Sequence, residues 1–79
     1  VGAAPAEGLV KNRLREERVA RGWSQGELAD RADASRQTIN AVEADKYDPS
    51  LPLAFRLAAL FDLPVEGLFF NPFKDVKEG

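Results

Sequence analysis

The sequence predicts an all-α fold of five short helices, and three observations carry that expectation. Apolar residues recur at three- and four-residue intervals, as in Leu28, Ala29 and Ala32 and again in Leu53, Leu57, Leu60 and Phe61. Serines stand just ahead of three such stripes, at Ser24, Ser35 and Ser50, where a hydroxyl can accept from the unpaired amides of a first helical turn. Gly22, Asp33-Ala34 and Asp48-Pro49 punctuate the chain between them.

The first helix is expected from about residue 12 to Gly22, where glycine supplies the stop. Leu14 and Val19 are its apolar residues, and Arg18 follows Leu14 on the same face. Ser24-Gln25-Gly26-Glu27 has the form of a capping box, in which the serine hydroxyl and the glutamate side chain satisfy each other's backbone amides. The second helix then runs from Gln25 to about Ala32 and buries Leu28, Ala29 and Ala32, with Trp23 placed to pack as an apolar staple on Leu28 or its neighbours.

Ser35 caps a third helix, from Arg36 to about Ala44. Ile39, Val42 and Glu43 share one of its faces, whereas Arg36, Gln37, Asn40 and Ala41 point the opposite way. Ser50 caps a fourth helix reaching Phe61, in which Pro52 is tolerated because it lies in the first turn. A short fifth helix is expected from about Pro64 to Leu68, followed by Phe69, Phe70 and Phe73 around Asn71-Pro72.

Composition narrows the function classes. The 79 residues suffice for one domain and include no cysteine and no histidine. Zinc-finger and zinc-hydrolase chemistry therefore lacks its ligands, and Ser-His or Cys-His nucleophile systems lack their base. No enzyme activity, metal or cofactor is expected. No stretch is long and apolar enough to span a bilayer, and residues 1–8 lack the apolar run of a secretory signal, so a soluble cytoplasmic protein is expected. The chain opens on Val1 instead of Met, which suggests a missing or processed native start. Residues 1–10 read as a flexible segment, 11–70 as the folded domain and 71–79 as a C-terminal tail.

The net charge is −2, but the charges are unevenly spread. Residues 11–21 carry five cations against two carboxylates, and residues 62–79 carry four carboxylates against two lysines. The basic start reads as a solvated face that can steer a polyanion over distance.

Two capped helices joined by a short turn constitute a helix-turn-helix. The segment SQGELADRADASRQTINAVEADKYDPS resembles the Xre/Cro, lambda-repressor-like family of DNA-binding domains. The likeness rests on Ser24-Gln25 with Glu27-Leu28-Ala29, then Ser35, Thr38-Ile39, Glu43 and Pro49, and extends over residues 12–69. It implies a helix-turn-helix at the second and third helices, with the third in the major groove.

On that footing Ser35, Arg36, Gln37 and Thr38 stand at base edges. Arg36 suits guanine O6 and N7, and Gln37 suits adenine N6 and N7. Asn40 and Ala41 reach bases or phosphates one turn further along. Gln25 matches a phosphate-contacting position, and Lys46 and Tyr47 resemble backbone contacts. The resemblance also implies an ion pair between Arg18 and Glu43 that ties the first helix to the third. Asp33, Asp45 and Asp62 depart from the family by standing where glycine is common, and Glu17 by standing where an apolar residue is usual.

Serine caps occur in any helical protein, and Arg36, Gln37 and Asn40 taken alone describe a solvated helix face. Lys46 and Tyr47 fit loop packing as well as phosphate contact, and the terminal phenylalanines fit intramolecular packing as well as a dimer contact. The expected function is a small transcriptional regulator, most simply a repressor, that binds a pseudo-palindromic double-stranded DNA operator as a homodimer through the C-terminal aromatic segment. Leu68 to Phe70 are candidates for a short strand across the two-fold axis. The alternative is an antitoxin or other protein-interaction module of the same fold, with a toxin or another protein as partner.

Overall fold

The computed structural model describes residues 9–73. It contains α1 (Leu14–Ala20), α2 (Gln25–Ala32), α3 (Arg36–Glu43), α4 (Leu51–Leu60) and α5 (Val65–Leu68). Most of the segment expected to be flexible, and the tail beyond Phe73, lie outside the described residues. Among those described, no helix is long and apolar enough to cross a membrane.

The helices start where the serines stand. Ser24, Ser35 and Ser50 are each extended and each accept the amide three residues on, from Glu27, Thr38 and Leu53. Both halves of the capping box at Ser24 and Glu27 are present, at 3.0 and 2.7 Å. Pro52 occupies the first turn of α4.

The first four helices end alike. A residue in the left-handed region follows each one, namely Gly22 (φ 73°), Asp33 (55°), Asp45 (60°) and Asp62 (56°). In every case two amides turn back onto the last carbonyls: Trp23 to Arg18 and Gly22 to Val19, Ala34 to Ala29 and Asp33 to Asp30, Lys46 to Ala41 and Asp45 to Val42, Leu63 to Ala58 and Asp62 to Ala59. This is the Schellman closure. The three aspartates at glycine-like positions therefore hold glycine-like backbone, which aspartate tolerates better than most residues. Two arginines assist. Arg56 Nε donates to Ala32 O at 2.8 Å and Arg21 Nη2 to Phe61 O at 3.2 Å, so each places positive charge at the end of a neighbouring helix.

Leu14, Leu28, Ala29, Ala32, Ile39, Val42, Leu53, Ala54, Leu57, Ala58, Phe61, Leu68 and Phe69 form one buried cluster fed by all five helices. Each fully buried aliphatic side chain contributes roughly 1.5–3 kcal/mol relative to exposure. Helix α2 packs on α3 and α4, α1 on α3, and α4 on α5. The aromatic Trp23 stacks on Phe61 with centroids 5.6 Å apart, and the Arg31 guanidinium covers it at 4.4 Å. The apolar partner is therefore the end of α4.

Three features differ from the sequence reading. Helix α1 begins at Leu14, because residues 11–13 spend their backbone groups elsewhere. Arg13 N donates to Leu68 O at 2.9 Å, Phe70 N donates to Lys11 O at 2.7 Å, and Asn12 and Phe69 form an antiparallel bridge. Leu68 to Phe70 thus pair within their own chain, and Phe69 is buried in the core. Val19 is 60% exposed, so α1 is anchored by Leu14 and by the ion pair of Arg18.

Candidate nucleic-acid interface

Helix α3 is held by its apolar stripe. Ile39 and Val42 are fully buried, which turns Arg36, Gln37 and Asn40 to solvent on the opposite side. Ser35 is exposed at the N-cap, where its Oγ also lies 2.8 Å from Thr38 Oγ1, and Thr38 and Ala41 are half-buried. Lys46 and Tyr47 are exposed in the loop that follows.

Gln25, Arg36, Gln37 and Asn40 line one shallow surface depression, and Ser35, Gln37, Thr38, Ala41 and Tyr47 line a second that shares Gln37 with the first. The residues singled out in the sequence therefore form one continuous face, with Lys46 standing beside Tyr47.

Behind this face lies Glu43, whose side chain is fully buried. Arg18 Nε donates to its Oε2 at 2.6 Å and Arg18 Nη2 to its Oε1 at 3.1 Å, while Arg18 Nη1 donates to Trp23 O. Gln25 Nε2 donates to Oε1 at 3.1 Å, and Arg15 Nε lies 3.5 Å from the same oxygen. Burial pushes the Glu43 carboxyl up, but hydrogen bonds from Arg18 and Gln25 and the charge of Arg18 outweigh it, leaving the group below the usual carboxylate range. The same hydrogen bond to Glu43 raises Arg18. Among the described residues no buried side-chain nitrogen or oxygen lacks a partner.

Three details refine the residue-level reading. Gln25 is half-buried with both ends of its amide engaged, since Oε1 accepts from Asn40 Nδ2 at 3.4 Å. The carboxylate of Asp45 pairs with Lys11 at 3.6 Å and accepts from Asn12 Nδ2 at 3.4 Å, which offsets its negative charge. Arg15, which the sequence reading left in a general basic face, is placed by Glu43 beside Gln25. Only a residue contact across two helices could have singled it out.

Comparison with known proteins bears on the fold and the family. A helix-turn-helix family model matches residues 14–68. An uncharacterized HTH-type transcriptional regulator of Methanocaldococcus jannaschii is 45% identical over 60 residues, which cover 76% of this chain and 91% of that protein. The uncharacterized HTH-type transcriptional regulator YgzD of Bacillus subtilis is 36% identical over 61 residues, covering 77% of this chain and 92% of it.

Among solved structures, the restriction-modification controller protein C.AhdI from Aeromonas hydrophila superposes with a TM-score of 0.63 at 35% identity, over 68% of this chain and 82% of that one. The biofilm master regulator SinR in complex with DNA superposes with a TM-score of 0.63 at 25% identity, over 68% of this chain and 87% of that one. With two serine-capped helices, a left-handed turn between them and a polar outward face on the second, the chain belongs to the Xre/lambda-repressor-like helix-turn-helix family of DNA-binding transcriptional regulators.

Proposed function

We propose that this chain binds duplex DNA in a sequence-dependent way, with α3 in the major groove, and represses transcription by occluding a promoter. The observation that carries the reading is the continuous face formed by the polar Ser35, Arg36, Gln37, Thr38 and Asn40 with Ala41 among them, flanked by Lys46, Tyr47 and Gln25. A solved relative in this fold carries DNA. Arg36 and Gln37 provide bidentate groups for guanine and adenine edges. Lys46, Tyr47 and Arg15 are exposed and offer donors for phosphates. Gln25 adds its backbone amide, which in the first turn of α2 has no intrahelical acceptor. The chain has no catalytic part in this reading and works in the cytoplasm.

Phe70 is 48% and Phe73 62% exposed, beside a cavity lined by Val10, Ala54, Val65 and Phe69. Such a patch supports a homodimer, which would read two half-sites one helical turn, roughly 34 Å, apart. Fluorescence anisotropy with selected and random duplexes tests the DNA reading. Preference for the selected duplex is expected, and its loss is expected in the Arg36→Ala, Gln37→Ala double variant. Equal affinity for both duplexes would overturn it.

The same patch supports the alternative of an antitoxin or other protein-interaction module. Sedimentation separates the two: a dimer of the chain alone that dissociates in Phe70→Ser, Phe73→Ser favours the homodimer, whereas a monomer at micromolar concentration favours a foreign partner.

A further inference from the structure

The buried carboxylate of Glu43 sets the chemical polarity of the exposed face. A carboxylate only accepts hydrogen bonds, so the amide of Gln25 beside it must turn Nε2 inward, as it does at 3.1 Å. Gln25 Oε1 is then the atom that faces Asn40, and Asn40 must answer with a donor. Its Nδ2 lies 3.4 Å away. One Nδ2 hydrogen is thereby engaged and the rotation of the Asn40 amide is restrained. Among the described residues Oδ1 and the second hydrogen have no other partner, on an exposed residue one turn beyond Arg36 in α3.

An adjacent acceptor and donor match one base edge in the major groove. Adenine offers N6–H to Oδ1 and N7 to the amide hydrogen. Guanine would set O6 against Oδ1, thymine would set O4 against it, and cytosine offers only a donor on its own edge, its nearest acceptor being O6 of the paired guanine.

We propose that Asn40 reads an adenine, its amide held in the reading orientation by a relay that runs from the buried Arg18–Glu43 pair through Gln25. The assignment rests on the placement of α3 in the major groove proposed above. Gln25 and Glu43 are positioning residues in this scheme, and only Asn40 touches the base.

The test starts from duplexes selected by the wild-type chain out of a random pool. Affinities for every single-base-pair change are then ranked for wild type, Asn40→Ala and Gln25→Leu. Asn40→Ala is expected to lower discrimination at one A·T position by at least about fivefold, while preferences set by Arg36 and Gln37 persist. Gln25→Leu is expected to weaken discrimination at that same position although Asn40 is intact.

The proposal is overturned if Asn40→Ala leaves every preference unchanged, or if the preference it loses is not for A·T. It is also overturned if Gln25→Leu keeps the A·T preference or weakens all duplexes by one common factor, as loss of a phosphate contact does. Asn40→Ala exchanges an exposed residue for a stronger helix former, so it folds and decides the base assignment by itself. A wild-type chain that fails to prefer any duplex would instead overturn the DNA reading beneath this proposal.

Discussion

Arg18 and Glu43 meet through two parallel hydrogen bonds, Nε to Oε2 at 2.6 Å and Nη2 to Oε1 at 3.1 Å, across the packed faces of α1 and α3. The guanidinium fork matches the carboxylate, and its third nitrogen donates to the Trp23 carbonyl. One pair therefore joins α1, the turn into α2, and the helix that carries the polar face.

Removing one partner is costlier than the pair is valuable, because the other charge stays behind with little water. Glu43→Ala is expected to lose about 3 kcal/mol, a large share of the stability of a domain this size. Urea denaturation of the single variants and of Arg18→Met, Glu43→Leu measures this. The double variant is expected to recover most of the loss, and additive losses would contradict the account.

The pair also predicts an acid dependence. The Glu43 carboxyl in the folded chain lies below its ordinary value of 4.5, so the unfolded chain binds more protons as pH falls through that region. The stabilisation is complete above about pH 4.5 and is lost progressively as pH drops through the depressed folded value. Glu27, lowered chiefly by accepting the Ser24 backbone amide, acts in the same direction. Urea midpoints between about pH 7 and pH 3 are expected to fall on the acid side, and Glu43→Gln is expected to flatten the slope without abolishing it.

Asp62 holds φ at 56° on an exposed turn after α4, and no side-chain hydrogen bond of its own is among the described contacts. Asp62→Gly relieves the left-handed geometry and is expected to stabilise by about 0.5–1 kcal/mol, or several degrees in melting temperature. Asp45→Gly is expected to gain less, because Asp45 also engages Lys11 and Asn12. Calorimetry that ranks the two in the opposite order would contradict this.

Lys46 and Arg36 are expected to differ in kind when tested on DNA. Lys46→Ala is expected to weaken all duplexes alike and to lower the slope of log affinity against log salt by about 1. Arg36→Ala is expected to relax preference at one G·C position by about 1–3 kcal/mol. Anisotropy titrations across a salt series distinguish the two outcomes.

Features made within one helical turn were readable in advance. Ser24 and Glu27, Ser35 and Thr38, and Ser50 and Leu53 pair over three residues, so their spacing in the sequence is their geometry. The stripe of Ile39 and Val42 turned Arg36, Gln37 and Asn40 outward for the same reason. The Arg18–Glu43 pair was expected from family resemblance, since two charges on apolar faces call for partners without naming them.

Contacts between distant segments were decided only when the helices packed. Asn12 lies within the expected first helix, yet its side chain donates to Val42 O, 30 residues away, and its backbone pairs with Phe69. Trp23 had a staple position but no fixed partner, and packing gave it Phe61 and Arg31. By sequence and resemblance, Gln25 was a helix-start residue facing a phosphate. Tertiary packing set Glu43 beside it and bound both ends of its amide. Periodicity and capping act over a few residues and so defined α2, α3 and α4 and their buried faces from sequence, whereas the start of α1 and the exposure of Val19 followed from packing. Which atoms each polar side chain presents depends on neighbours brought together from far along the chain.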